Sequence, residues 1–171
     1  MSNAGIASRG STLAETETAD MRRIVDTHIC GAFYLIKSGL QHLRKHSRGD
    51  VVFISSMSPH MAPAGHGPYA TAKAGLEVMA QVLAKEELKH GIRVNTVAAT
   101  VVETAIGHRL VQYNLGSAIE QVKSRFPFGR VCQPEDVANL CVFLCSDKAA
   151  YISGHTIFVD GANPIGVAKE E

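Results

Sequence analysis

A short run of β-branched and apolar residues, 51–54, constrains the fold of this chain more than any other feature. A strand with one face in water alternates apolar and polar residues, but this run does not alternate. It therefore predicts a strand covered on both faces, as in a parallel sheet. Two further β-branched runs, residues 92–97 and 156–159, predict two more strands of the same kind.

Helical patterns separate these runs. Residues 16–45 predict a long helix, and residues 69–90 predict a second one, with Pro68 in its first turn and Gly91 at its C-terminal cap. Residues 134–146 predict a third helix, and residues 103–125 one or two short ones. The first helix carries an inward stripe, which we expect to consist of Ile24, His28, Ala32, Leu35 and Gly39.

The alternation of helices and strands predicts an α/β fold with crossover helices on a doubly wound, Rossmann-type parallel sheet. We find about three strands, whereas such sheets usually have about six. The sequence therefore predicts a truncated form of this fold. We expect one domain over residues 1–163 and a loose C-terminal tail over residues 164–171.

Charge and hydropathy exclude several classes of function. The 171 residues carry a formal net charge of +1, whereas nucleic-acid-binding domains are usually strongly basic. No apolar run approaches the roughly 18 residues of a membrane span, and residues 1–20 lack the apolar stretch of an export signal. We therefore expect a cytoplasmic protein that binds neither nucleic acid nor a membrane.

The cysteines and one histidine pair give no sign of a metal. The four cysteines form no Cys-x-x-Cys pair, and we expect Cys141 and Cys145 to be buried core thiols. His42 and His46 are spaced for one helix face, but neighbouring arginines and a lysine would repel a cation. We interpret that pair as a solvated helix end and predict no metal site.

Three polar residues suggest acid–base chemistry. Tyr69 and Lys73 are four residues apart and share one helix face. A nearby ammonium favours the phenolate and so lowers the pKa of a tyrosine, which then suits proton transfer to or from an alcohol or a carbonyl. Ser56 follows the first strand, at the edge where open α/β sheets bind ligands. A tyrosine and a lysine at this spacing are common on protein surfaces, so the surrounding sequence decides whether the pair has a function.

Several short motifs occur in order around these residues: Asn3-Ala4-Gly5, Ile54-Ser55-Ser56, Tyr69-x-x-x-Lys73, Val102-Glu103-Thr104, Pro134-Glu135-Asp136-Val137-Ala138 and Val159-Asp160-Gly161. Together they closely resemble the short-chain dehydrogenase/reductase family, from residue 3 to about residue 163. The resemblance implies a Rossmann-type sheet, NAD(H) or NADP(H) as cofactor, and hydride transfer between a carbonyl and a secondary alcohol in a small-molecule substrate.

The resemblance also implies roles for individual residues. Tyr69 would be the catalytic acid/base and Ser56 would orient the substrate oxygen. Lys73 would lower the pKa of Tyr69 and contact the nicotinamide ribose. Thr104 would face the nicotinamide carboxamide. Asn3, Ala4 and Gly5 would lie beside the ribose on the adenosine side of the cofactor and beside the central sheet.

The sequence departs from the family pattern at three places. The Gly-rich phosphate loop is absent, and the match of residues 65–70 to G-x-G-x-x-A does not directly follow a strand. His28 stands where the family often has an asparagine that anchors a proton-relay water, so we consider either a relay role or a buried polar contact. Ala99-Thr100 replaces a Pro-Gly pair beside the nicotinamide.

Two hypotheses remain open. The first is an NAD(P)-dependent oxidoreductase, whose substrate would meet an apolar pocket suggested by Tyr113, Phe126 and Phe128. The second is a truncated, catalytically silent chain that acts only through oligomerisation. In either case we expect a homodimer or homotetramer formed through the two long helices. Without a phosphate loop, we expect the isolated chain to bind NAD(P)H poorly.

Overall fold

The computed structural model describes residues 1–8 and 10–162. Its sheet consists of β1 (Gly49–Ser56), β2 (Ile92–Ala99) and β3 (Thr156–Val159), all parallel and in that order. The parallel three-stranded sheet predicted from the apolar runs is confirmed. The predicted tail, residues 164–171, lies outside the described residues, as does residue 163 at the end of the predicted domain.

Helices connect and cover these strands. The first long helix consists of α1 (Thr18–Val25), a π-helical turn (Asp26–Cys30) and α2 (Gly31–Leu43). The remaining α-helices are α3 (Ser58–Met61), α4 (Gly67–Glu86), α5 (Ala105–Leu115), α6 (Ile119–Val122) and α7 (Pro134–Leu144). Single 3-10 turns occur at Leu88–His90, Lys123–Arg125, Pro127–Gly129 and Asp147–Ala149.

The two faces of the sheet are covered by different helices, which makes the sheet doubly wound. Val51 and Phe53 of β1 pack with α2 and α4, whereas Val52 packs with α7 on the opposite face. This two-sided burial is the physical reason why the strand needs an unbroken apolar run. None of the helices in the described part of the chain is long and apolar enough to cross a membrane.

The N-terminal residues lie against the free edge of β1. The backbone N–H of Ser2 donates to the Val52 carbonyl at 2.8 Å, and the Ile54 N–H donates to the Ser2 carbonyl at 3.0 Å. These bonds make a parallel bridge between Ser2 and Phe53. The bridge carries the chain from the sheet edge directly into residues 3–5.

Three details correct the sequence-based expectations. Leu35 is 52% exposed, because the inward stripe continues through Ile36 and Leu40 instead. Cys145 is exposed and only Cys141 of that pair is buried, because Cys141 and Leu144 are the α7 residues of this region that pack into the core beneath the sheet. The predicted loop between β1 and the second long helix contains the short helix α3.

Candidate active site

Ser56, Tyr69 and Lys73 come together at the carboxyl end of β1. Ser56 is the last residue of that strand, and Tyr69 lies in the first turn of α4. The Ser56 side chain is close enough to Tyr69 to lower the pKa of the tyrosine through hydrogen bonding. Ser56 Oγ also accepts the backbone N–H of Ser58 at 3.1 Å, which orients it at the start of α3.

Lys73 is buried one helical turn further along α4. Its side chain is 5% exposed, and its Nζ donates to the Ile54 carbonyl at 2.7 Å. Nζ also lies 5.6 Å from the centroid of the Tyr69 ring. Burial lowers the pKa of Lys73 to about 8, and the charge of Glu77 opposes this change. An ammonium has three N–H donors, so Lys73 keeps donor capacity beyond the Ile54 bond.

The pKa of Tyr69 shifts in the direction opposite to our expectation from the sequence. Burial raises it, and the hydrogen bond to Ser56 opposes the increase. The sequence argument considered the attraction of Lys73 but not the desolvation of the phenolate, which is the larger effect here. The tyrosine is therefore protonated near neutral pH and suited to donating a proton.

His28 packs against the ring of Tyr69. The two rings meet edge to face with centroids 5.3 Å apart. His28 is 2% exposed, and this burial lowers its pKa. The hydrogen bond to the Ile6 backbone acts to raise the pKa, whereas the positive charge of Lys73 lowers it further. Its Nε2 lies 2.9 Å from the Ile6 carbonyl oxygen and 3.2 Å from the Ile6 nitrogen, so its tautomer decides the donor. Its buried Nδ1 has no hydrogen-bond partner among the described residues.

Residues 3–5 cross in front of His28. Asn3, Ala4 and Gly5 are exposed, and a Cβ added to Gly5 would lie 2.7 Å from His28 Cε1. This position therefore needs a residue without a side chain. The His28 side chain thus lies between the Asn-Ala-Gly segment and Tyr69, and contacts both.

Thr104 lies apart from these residues, at the N-terminal cap of α5. Its exposed side chain accepts the Gly107 N–H at 3.1 Å and lies 3.3 Å from the Val102 carbonyl. The Thr104 hydroxyl thus donates its proton to the nearby Val102 carbonyl. In the described part of the chain, the hydrogen bonds of the Thr104 side chain stay within residues 102–107 and do not reach Ser56, Tyr69 or Lys73.

Comparisons with known proteins agree with this geometry. A family model described as enoyl-(acyl carrier protein) reductase matches residues 1–162. The chain is 34% identical over 161 residues to 3-oxoacyl-[acyl-carrier-protein] reductase FabG of Escherichia coli (strain K12), covering 94% of this chain and 64% of that protein. A Burkholderia thailandensis oxidoreductase of the short-chain dehydrogenase/reductase family superposes with a TM-score of 0.84 at 33% identity, covering 97% of this chain and 64% of that one.

The chain belongs to the short-chain dehydrogenase/reductase family. It spans slightly less than two thirds of the length of these relatives. A further solved structure, ElxO with NADP bound, superposes with a TM-score of 0.82 at 28% identity, covering 93% of this chain and 64% of that one. Membership in this family confirms the resemblance inferred from the motifs, and the neighbours have the Rossmann-type fold predicted for this chain.

The Gly-x-Gly match at residues 65–70 is not a phosphate loop. A Cβ on Gly65 would lie 2.6 Å from the Gly10 carbonyl oxygen, and one on Gly67 would clash with the Leu13 side chain. Both glycines thus leave room for the segment around residues 10–13, which packs directly against them. Since α3 also separates them from β1, they lack the strand-to-helix context of a dinucleotide site.

The three aromatic residues proposed for a substrate pocket do not form one. Phe126 is buried in a small core with Val111, Ile119 and Val122, whereas Phe128 is 86% exposed. Tyr113 alone lines an open cleft of about 460 Å³, together with His108, Arg109, Gln112 and Ala118. The sequence could not separate these positions, because burial in this region depends on how α5 and α6 pack.

The sequence interpretation also missed Glu77. This carboxylate lies on α4 one turn after Lys73 and is only 7% exposed. Its spacing of four residues from Lys73, and of eight from Tyr69, was a readable signal, because all three positions share one helix face.

A further group brings carboxylates and a histidine together at the surface. Glu103, His108 and Glu120 each offer a ligand atom, and these atoms lie within 4.8 Å of one another. The side chains of His108 and Glu120 are 43% and 63% exposed. Exposed acidic groups are common without a metal, so this group does not change the expectation of no metal site.

Proposed function

We propose that this chain carries the acid–base site of an NAD(P)-dependent oxidoreductase that interconverts a carbonyl and a secondary alcohol. The observation that carries the proposal is the cluster of three side chains at the carboxyl end of β1: Ser56 ends the strand, Tyr69 lies in the first turn of α4, and Lys73 Nζ lies 5.6 Å from the centroid of the Tyr69 ring. Serine, tyrosine and lysine in one cluster at the carboxyl end of a parallel strand suit proton transfer to a bound substrate.

In the direction of reduction, Tyr69 donates its phenolic proton to the carbonyl oxygen of the substrate. Its raised pKa keeps the proton in place until the oxygen becomes more basic. Ser56 orients the same oxygen through its hydroxyl, and the Lys73 ammonium stabilises the phenolate that remains. In the direction of oxidation, the phenolate takes the proton back.

His28 is the candidate for returning a proton to Tyr69. Its buried Nδ1 has no partner in the described chain, and burial favours its neutral form, which can both accept and donate a proton. This would replace the relay water that an asparagine anchors at this position in the family pattern.

The residues present fit the nicotinamide half of the cofactor. NAD(P)H, when bound, supplies the hydride. Lys73 has spare N–H donors for the ribose hydroxyls, and the exposed segment Asn3-Ala4-Gly5 and Thr104 remain candidates for further cofactor contacts.

The first substrate class to assay is a 3-oxoacyl thioester, because FabG relatives are named for reducing one. Turnover should be followed by NADH and NADPH absorbance in the catalytically competent form of the protein. Tyr69→Phe should abolish turnover, whereas Tyr151→Phe, which changes a fully exposed tyrosine, should leave it unchanged. Retained activity in Tyr69→Phe would rule out the assigned role.

The alternative is a catalytically silent chain that acts through association. An apolar surface on the outer sides of α2 and α4 favours this candidate: Phe33, Tyr34, Leu35, Val78 and Val82 are all between 48% and 65% exposed. We propose that these two helices form the interface of a homodimer or homotetramer. Sedimentation should show a shift towards monomer for Leu35→Glu but not for Ile106→Glu, an equally exposed position on α5. Association without turnover on any carbonyl substrate would favour the silent chain.

The four cysteines are free thiols in the structure. Reduced thiols are typical of the cytoplasm, and we propose that compartment for the protein.

A further inference from the structure

Glu77 is a buried carboxylate for which the proposed reaction has so far given no role. It lies on the inward face of α4, one turn beyond Lys73, and its residue is 7% exposed. Carboxylates are almost never buried to this extent without partners. Its partners therefore indicate what the residue does.

Two hydrogen-bonding side chains hold the Glu77 carboxylate. Ser55 Oγ donates to Oε1 at 2.5 Å, and His60 Nε2 lies 3.0 Å from Oε2. Ser55 is the neighbour of Ser56 at the end of β1, and His60 belongs to α3, between Ser56 and Tyr69. Glu77 thus ties the helix that carries Tyr69 and Lys73 to the strand end that carries Ser56.

The third partner of Glu77 is the charge of Lys73. Desolvation disfavours the buried ammonium, and the attraction of Glu77 opposes this effect. The hydrogen bond that Lys73 Nζ donates goes to the neutral Ile54 carbonyl. Besides Glu77, the titratable groups that face Lys73 are Tyr69 on its own helix and His28 on the π-helical turn, whose own pKa is lowered by Lys73. Of these groups, Glu77 is the carboxylate, and it lies one turn after Lys73 on the same buried face of α4.

We propose that Glu77 is a positioning residue of the active site, whose buried carboxylate keeps the Lys73 ammonium charged beside Tyr69 and fixes the strand end through Ser55 and His60. The catalytic consequence rests on the proposed oxidoreductase function. The electrostatic pairing itself does not, because it can be measured without turnover.

The test is the titration of the Lys73 side chain, followed by NMR of the full chain labelled with ¹⁵N-lysine and assigned with Lys73→Arg. Glu77→Gln should lower the pKa of Lys73 by about one unit, the scale expected for loss of an adjacent opposite charge. Glu77→Asp, which keeps the charge, should restore most of this shift.

Glu87→Gln is the matched control. Glu87 is also a buried carboxylate, 2% exposed, but it pairs with Arg44 beyond the far end of α4. Its separation of fourteen positions from Lys73 corresponds to about 20 Å along a helix. It should leave the Lys73 titration unchanged. An unchanged titration in folded Glu77→Gln, or an equal shift in Glu87→Gln, overturns the pairing.

Should Glu77→Gln fail to fold, the double variant with Lys73→Met decides. If that double variant folds, the single failure arose from an unpaired buried ammonium, as the proposal requires. If it also fails, Glu77 acts only through its hydrogen bonds to Ser55 and His60, and the proposed effect on the Lys73 ammonium is wrong.

Activity separates this inference from the proposed function. In an active protein, Glu77→Gln should lower kcat and move the alkaline limb of the pH profile to lower pH, with Glu77→Asp closer to the original. A shifted titration without any effect on turnover would retain the pairing and contradict the role assigned to Lys73.

Discussion

Replacing Lys73 by methionine should change how the stability of the fold depends on pH. Lys73 is 5% exposed, and its pKa falls from 10.5 to about 8 on folding. The unfolded chain therefore binds this proton more tightly than the folded protein does. Methionine has a similar length and no charge, so it removes the titration while filling the same space.

The size of the effect follows from the pKa difference. At 1.36 kcal/mol per unit, the shift corresponds to about 3 kcal/mol of destabilisation, fully present below pH 8 and absent above pH 10.5. Wild-type stability should therefore rise relative to Lys73→Met as the pH increases from 8 to 10.5. Removing the buried ammonium should stabilise the variant at pH 7. The variant also loses the hydrogen bond to the Ile54 carbonyl, which offsets about 1–3 kcal/mol of that stabilisation.

Equilibrium urea unfolding of both proteins between pH 7 and pH 10.5 measures this difference. Subtracting the unfolding free energies of the two proteins removes the contributions of other groups that titrate in the same range, provided that the two proteins have equal m-values. A difference in unfolding free energy that stays constant across this range would refute the reasoning. It would mean that the Lys73 ammonium is as well solvated in the folded protein as in the unfolded chain.

Two further predictions concern glycines. Gly5→Ala should destabilise the fold by about 1–3 kcal/mol, because the added Cβ would meet the His28 side chain. The destabilisation should disappear in a His28→Ala background. A coupling energy between the two substitutions under about 0.5 kcal/mol, measured by urea unfolding, would contradict this prediction. Gly91→Ala should lower Tm more than Gly116→Ala, because both have positive φ but a Cβ at Gly91 would lie 2.7 Å from the Ser47 carbonyl oxygen. Equal Tm values for the latter two would show that this turn has room.

The sheet and its long helices were predictable because their signals are local. A strand buried on both faces has to be apolar along its length, as residues 51–54 are, and Pro68 and Gly91 mark the beginning of α4 and the end of the turn that follows it. The Ser-Tyr-Lys cluster was predictable for a related reason. Spacing fixes a shared helix face, and parallel strands present their carboxyl ends at one edge.

Properties that depend on what packs against a residue were not predictable. The raised pKa of Tyr69 depends on how completely its surroundings exclude water. The burial of Phe126 and the exposure of Phe128 depend on the packing of α5 and α6. The exposure of Cys145 depends on which α7 side chains reach the core, and these are Cys141 and Leu144. In each case the sequence identified the residue type, but the tertiary environment determined its role.

The direction of α4 explains why one helix both carries the site and covers the sheet. A crossover helix between parallel strands runs antiparallel to them, so its first turns lie at the carboxyl edge, where ligands bind. Its later turns lie over the strands. The inward face of α4 changes accordingly, from Tyr69, Lys73 and Glu77 up to the middle of the helix to Ala80 and Leu83 in the core, which Leu76 already joins beside Glu77. Polar and charged residues on the inward stripe of such a helix, up to its middle, are therefore a sequence signal for a candidate site, and by this criterion Glu77 belongs with Tyr69 and Lys73.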